Sequence, residues 1–236
     1  MSPRRRQLVA GLVLMLGFVY LAFEAIAAAA WVDPAYDWAA NYISDLGFSD
    51  CAIVDGSRIC SPLHPLMNAG FFVQGTIFVI GGILAVGLML PSGWKRGLVT
   101  VLLVLSGVGT FLVGVVHQSV ELYASGLNWL HVLVAFLAIG PGNVGILLLG
   151  LLVLRDRRWR GYGIAVAGLG VVGIVAALFL LADNDLGVGI GLVERFAVYP
   201  LNAWTIGTGI VLLVRAGAGR RTAHGPAALV GDGRAA

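Results

Sequence analysis

Six uninterrupted apolar runs, Leu8 to Ala30, Leu66 to Leu90, Leu98 to Val116, Trp129 to Leu154, Tyr162 to Ala182 and Phe196 to Val214, constrain this chain more than any other feature. A helix rises about 1.5 Å per residue and about 20 residues cross the roughly 30 Å of bilayer hydrocarbon, so each run can span. Helices satisfy their own backbone groups in lipid, whereas a membrane barrel needs alternating polar and apolar residues, which these runs lack. The runs therefore predict an all-α fold, a bundle of six transmembrane helices. Of the 236 residues, 59% are hydrophobic and 11% charged, with a mean hydropathy of +0.93. A soluble domain is about a quarter charged, so a soluble globular enzyme is excluded. The runs leave one membrane domain over 1–215 and a Gly-, Ala- and Arg-rich segment over 216–236, read as a disordered cytoplasmic tail.

The few charges are sorted by side. Arg4, Arg5, Arg6, Lys95, Arg96, Arg155, Arg157, Arg158, Arg160, Arg215, Arg220, Arg221 and Arg234 fall at the termini and in the second and fourth loops; only Arg58 and Arg195 lie elsewhere. The positive-inside rule then places both termini in the cytoplasm of a plasma membrane and three loops outside. Asp33, Asp37, Asp45, Asp50, Asp55, Glu121, Asp183, Asp185 and Glu194 gather on the outer side. Because topology accounts for the arginines, the basic pI of about 9.1 does not imply nucleic-acid binding. Arg4 to Arg6, the first run and Ala27 to Ala30 resemble a signal peptide, but an apolar core of about 22 residues exceeds the usual 7 to 15, so a retained first helix is expected. Cys51 and Cys60, both in the first outer loop, are expected to form a disulfide on the oxidising side.

Gly168, Gly170 and Gly173 match a dinucleotide fingerprint, yet they sit mid-span without the preceding strand that motif requires. They read instead as small residues for close helix packing. Polar residues near span ends are costly in lipid and usually face the bundle interior or the headgroup layer. Glu24, His64, Asn68, His117, Asn128, His131, Glu194, Arg195 and Asn202 all fall in the outer half. His64 with Asn68 and His117 with Glu121 share helix faces at i,i+4, and Arg195, Tyr199 and Asn202 form one stripe. Three readings fit them. His64, His117 and His131, with Asp45, Asp183 or Asp185, suit a zinc site that activates water, although no local two-ligand spacing is present. Two histidines on facing helices suit haem. Interfacial His, Asn and Trp also simply anchor helix ends. Asn143, beside Pro141 and Gly142 in the fourth span, and Gln74 in the second are deeper; an amide there either satisfies carbonyls freed by a kink or meets a ligand.

Ile43-Ser44-Asp45-Leu46-Gly47, Ser61-Pro62-Leu63-His64-Pro65-Leu66-Met67-Asn68-Ala69-Gly70 and Gly191-Leu192-Val193-Glu194-Arg195 together resemble the domain of unknown function 998 family, prokaryotic multi-pass membrane proteins. The likeness spans residues from about 8 to 214 and implies the six-helix fold without a defined activity. Many members carry Gln at the position of Glu194. The Ile-Ser-Asp-x-Gly element is also similar to one in the Frag/DRAM/Sfk membrane proteins, some linked to lipid remodelling. Ser44 and Asp45 suit a turn or cap, and such a turn can present Asp45 to His64 or Arg195.

The resulting expectation is a membrane protein that binds or remodels a lipid or lipid-linked group in the outer half of the bilayer. Asp45, His64, His117 and His131 are the candidate catalytic groups, and Ser44, Asn68, Asn143, Glu194, Arg195 and Asn202 the candidate ligand contacts. Arg195 would meet an anionic headgroup, Asn68 would donate, and the histidines would carry protons. The competing classes are a non-catalytic assembly factor with a protein partner, a metal-dependent lipid hydrolase, and a small-solute transporter. The last needs a polar path past Asn143 and Gln74, and the inner halves of the runs are apolar.

Overall fold

The computed structural model describes residues 2–54 and 56–222. Six helices among them are long and apolar enough to cross a membrane: Pro3–Ala30, His64–Met89, Trp94–Val115, Asn128–Val153, Arg160–Leu181 and Ile190–Ala218. The first is divided at Leu16 into α1 (Pro3–Met15) and α2 (Gly17–Ala30). There the Val19 N–H donates to the Leu16 carbonyl three residues back, so the turn tightens without ending the span. The remaining long helices are α3 (His64–Met89), α4 (Trp94–Val115), α6 (Asn128–Val153), α7 (Arg160–Leu181) and α8 (Ile190–Thr222), with the short α5 (Val120–Ala124) before α6.

Ser2 caps α1 by accepting from the Arg5 N–H, and Pro3 fills a first-turn position where its missing N–H does no harm. The helix thus starts five residues before the apolar run. The sixth span departs more from its expected limits of Phe196 and Val214, because α8 begins at Ile190 and runs to Thr222. Glu194 and Arg195 argue against a helix in lipid at that point, but both are buried inside protein, so the helix can carry them. The rest of the expected tail, 223–236, lies outside the described residues.

Neighbouring helices pair around a ring: α3 on α4, α4 on α6, α6 on α7, α7 on α8, α8 on α1, and α1 with α2 back on α3. Without a hydrophobic drive between helices in lipid, close approach depends on small residues. A Cβ on Gly75 of α3 would lie 2.6 Å from the Gly107 carbonyl of α4, and one on Gly170 of α7 would lie 2.7 Å from Leu147 of α6. Gly170 and Gly173 are therefore packing glycines, while Gly168 faces open space. One half of the ring is filled by apolar side chains such as Leu14, Phe78, Leu103, Ile146, Leu149 and Trp204.

The other end carries a cap made by the chain between α2 and α3. Cys51 and Cys60 are disulfide-bonded and pair across a hairpin of β1 (Cys51–Val54) and β2 (Ser57–Cys60). A 3-10 turn, Ser44–Gly47, plugs the ring beneath it, with Ile43, Leu46 and Phe48 buried.

Candidate functional site

Two adjacent residues of α8 divide the cap end into two polar systems. Successive helical residues point about 100° apart, so Glu194 and Arg195 serve different neighbours. Arg195 is 4% exposed. One guanidinium nitrogen donates to the carbonyls of Trp38 (2.9 Å), Gly191 (3.0 Å) and Asn41 (3.1 Å). The other donates to Glu24 Oε1 at 3.3 Å and to the Tyr36 hydroxyl, and the plane lies against the rings of Trp38 and Tyr36. The Tyr199 hydroxyl donates to the same Glu24 oxygen at 2.9 Å. The Tyr36 hydroxyl in turn donates to the Tyr42 carbonyl at 2.8 Å. Burial pushes the Tyr36 phenol up from its ordinary range, against the opposing pull of the Arg195 guanidinium. Arg195 is thus a clamp that ties the cap loop to α8 and α2. Its terminal nitrogens are engaged inside the protein.

Gly189 and Gly191 let α8 approach the same loop. A Cβ on either would run into the backbone carbonyls of Ala39 or Asn41, and Gly189 also has φ +100°.

Glu194 faces the ring interior. One of its oxygens accepts from the Ile43 N–H just before the 3-10 turn. Among the described residues no cation pairs with it, the buried ion pair being that of Arg195 with Glu24. Beside Glu194 is a chamber of about 50 Å³ whose polar lining includes Ser44, Gln74, His131 and Asn202. That exceeds the roughly 10–15 Å³ a water needs but is far below the roughly 300 Å³ of an ordinary ligand pocket. The Gln74 amide donates to Asn202 Oδ1 at 2.8 Å, which leaves Gln74 Oε1 and Asn202 Nδ2 buried without a partner.

Glu194, His131 and Ser44 also line a second, wider cavity of about 250 Å³. Its lining combines polar Tyr42, Gln118 and Asn128 with apolar Val132, Phe136 and Leu180. Gln118 Oε1 and Asn128 Oδ1 have no partner there. The His131 Nδ1 sits 2.7 Å from the Val116 carbonyl. A carbonyl only accepts, so Nδ1 carries hydrogen, and in the neutral ring Nε2 is the acceptor.

The sequence profile described as "Protein of unknown function (DUF998)" matches residues 15–211, a stretch holding Glu24, the 3-10 turn, His131, Glu194 and Arg195. The chain belongs to the DUF998 family. No curated protein and no solved structure matches it.

In this DUF998 chain the other expected site residues go elsewhere. Asp45 Oδ2 accepts from the Tyr42 N–H at 2.9 Å, closing the 3-10 turn onto the strand of loop before it. Burial pushes its carboxyl up to about 6, against the opposing pull of that N–H and the Asn41 side chain. Asp45 reaches neither His64 nor Arg195 by a hydrogen bond or ion pair among the described residues. Asn68 donates to the Gly47 carbonyl at 2.9 Å and Ser61 to the Leu46 carbonyl at 2.7 Å, so both hold the turn down. His64 and His117 are half-buried outside the chamber. Among the described residues no three His, Cys, Asp or Glu side chains gather as a metal group.

Asn143 is occupied by the backbone. Its amide donates to Ile139 (3.0 Å) and, across the ring, to the Ala197 carbonyl (2.8 Å), in the turn before Pro200 of α8. Ser106 of α4 donates likewise to the Ala138 carbonyl, in the turn before Pro141 of α6. Proline removes the helical donor to the carbonyl four residues back and loosens that turn, where side chains of neighbouring helices can satisfy exposed backbone groups. Gln118, Tyr42 and Tyr36 had no distinguishing spacing in the sequence; only the fold of the cap brings them to the two sites.

Proposed function

We propose that this DUF998 protein lies in the plasma membrane with both termini in the cytoplasm and the cap outside, and that it binds a lipid or lipid-linked group through the cavity beside Glu194. The bases support the orientation: Arg4 to Arg6, Lys95, Arg96, Arg155, Arg157, Arg158 and Arg160 sit at the helix ends away from the cap. One observation carries the binding role. The cavity's lining brings polar Tyr42, Gln118 and Asn128 together with apolar Val132, Phe136 and Leu180, the mixed surface that an amphipathic molecule requires. Val132 is exposed on the outside of α6, so the mouth opens toward the bilayer. A headgroup meets the polar groups while its chains remain with the apolar ones. His131 and Glu194 stand at the inner end, where they can take or give a proton.

The apolar filling of the opposite half supports binding from one face over passage through the ring. Native mass spectrometry of the purified protein tests the proposal. Wild type should retain a lipid-sized adduct that Val132→Trp, which fills the mouth from a lipid-facing position, largely loses. Equal retention by both proteins would sink the binding role.

A further inference from the structure

Resting on that lipid-binding reading, we infer that the headgroup entering beside Glu194 is recognised through hydrogen-bond donors, an amine or sugar hydroxyls, and not through a phosphate. The lining groups that lack partners are mostly acceptors. Gln74 Oε1, Gln118 Oε1 and Asn128 Oδ1 have none, and Nε2 of His131 adds an acceptor. The carboxyl group of Glu194 adds a second oxygen beyond the one held by Ile43. Against these stand one unpartnered donor-only group, the Asn202 amide, and the hydroxyls of Ser44 and Tyr42, which accept as readily as they donate.

Charge points the same way. Among the described residues lining the two cavities none is Lys or Arg. The nearest guanidinium, that of Arg195, has its terminal nitrogens committed to the Trp38, Asn41 and Gly191 carbonyls, Tyr36 and Glu24. A phosphate drawn inward would meet carbonyl oxygens and a carboxyl group with no cation to balance it, whereas recognition of phosphate depends on Arg, Lys or backbone N–H groups. An ammonium or hydroxyl instead supplies the hydrogens these buried acceptors lack. The dimensions agree. The outer cavity of about 250 Å³ accepts a headgroup, and the inner one of about 50 Å³ accepts only its tip. The phosphate or glycerol of the same lipid stays at the mouth, within reach of water.

Phosphatidylethanolamine and phosphatidylcholine differ in this respect and share their phosphate: the first carries N–H donors and the second none. The test is reconstitution of the full chain in vesicles containing equal amounts of phosphatidylethanolamine, phosphatidylcholine, phosphatidylglycerol and a glucosyl diacylglycerol, followed by native mass spectrometry of the lipids retained. Phosphatidylethanolamine or the glucosyl lipid should exceed phosphatidylcholine and phosphatidylglycerol by about tenfold or more, equivalent to about 1.4 kcal/mol. Val132→Trp, or Leu180→Trp should the first variant misfold, should abolish the preference. Glu194→Gln distinguishes the two donor sources: it should lower retention of the amine lipid and leave that of the hydroxyl lipid. Retention of phosphatidylcholine or phosphatidylglycerol at the same level, still blocked by Val132→Trp, would overturn the donor inference while the lipid site stands. Retention indifferent to both tryptophan variants would overturn the lipid site itself.

Discussion

Arg195→Gln removes the cation from the middle of the cap and leaves its neighbours in place. Glu24 then keeps only the Tyr199 hydroxyl, and the Trp38 and Asn41 carbonyls lose their guanidinium donor. Removing one partner of a buried ion pair costs about 3–5 kcal/mol, because the remaining charge is uncompensated. A buried carbonyl deprived of its donor adds about 1–3 kcal/mol. The Asn41 carbonyl retains a 3.4 Å contact with the Tyr36 hydroxyl, so the full sum does not apply. A loss of about 4 kcal/mol or more remains, and at about 2–4 °C per kcal/mol for a chain of this size the midpoint should fall by roughly 8–16 °C. Thermal loss of the monodisperse peak in detergent reads this directly. Arg195→Lys should fall between the two, since one ammonium cannot reach Trp38, Asn41, Tyr36 and Glu24 together. Glu24→Gln combined with Arg195→Gln should recover part of the loss by removing the stranded charge. A midpoint for Arg195→Gln within about 2 °C of wild type, or a double variant no better than the single, would refute the clamp.

Two further outcomes are expected. Asp45 holds its proton in the folded state up to about 6, while an unfolded aspartate has lost it near 4. Stability is therefore greatest below about pH 4, falls as pH rises to 6 by up to about 3 kcal/mol, and is flat above that with respect to this group. In Asp45→Asn that segment of the melting-temperature profile should be absent, and an unchanged profile would contradict the burial of the acid. Gly150→Val forces a side chain into the backbone of α7 at Ala167 and Gly163, so α6 and α7 must separate. Overpacking of this kind costs about 1–3 kcal/mol, seen as a drop in midpoint and yield; a midpoint equal to wild type would deny the contact.

The spans were legible because about 20 consecutive apolar residues leave a chain few alternatives in lipid. The start of α8 was not, since Glu194 and Arg195 look prohibitive there until the cap that buries them is known. The sequence did single out Glu24, Glu194 and Arg195 as charges that topology fails to explain, and all three prove to be buried. It did not separate their roles. Whether Arg195 meets a ligand or the Trp38 carbonyl depends on where a loop more than 150 residues away folds back, which no local spacing encodes. The same holds for His131: its neighbours Val116 and Glu194 come from α4's end and from α8. Asn143 was readable as a partner for backbone carbonyls near its own Pro141, but the carbonyl it crosses to, Ala197, belongs to α8, the other proline-containing helix.

The central claim is that an amphipathic molecule enters between α6 and the cap, beside Glu194 and His131. Photo-crosslinking with a lipid carrying a reactive group near its headgroup, mapped by peptide mass spectrometry, tests it most directly. Labelling should concentrate on Tyr42, Val132, Phe136 and Leu180 and should vanish in Val132→Trp. Labelling spread evenly over outward-facing positions such as Ile164, Val171 and Val175 of α7, with no concentration at the mouth, would contradict it.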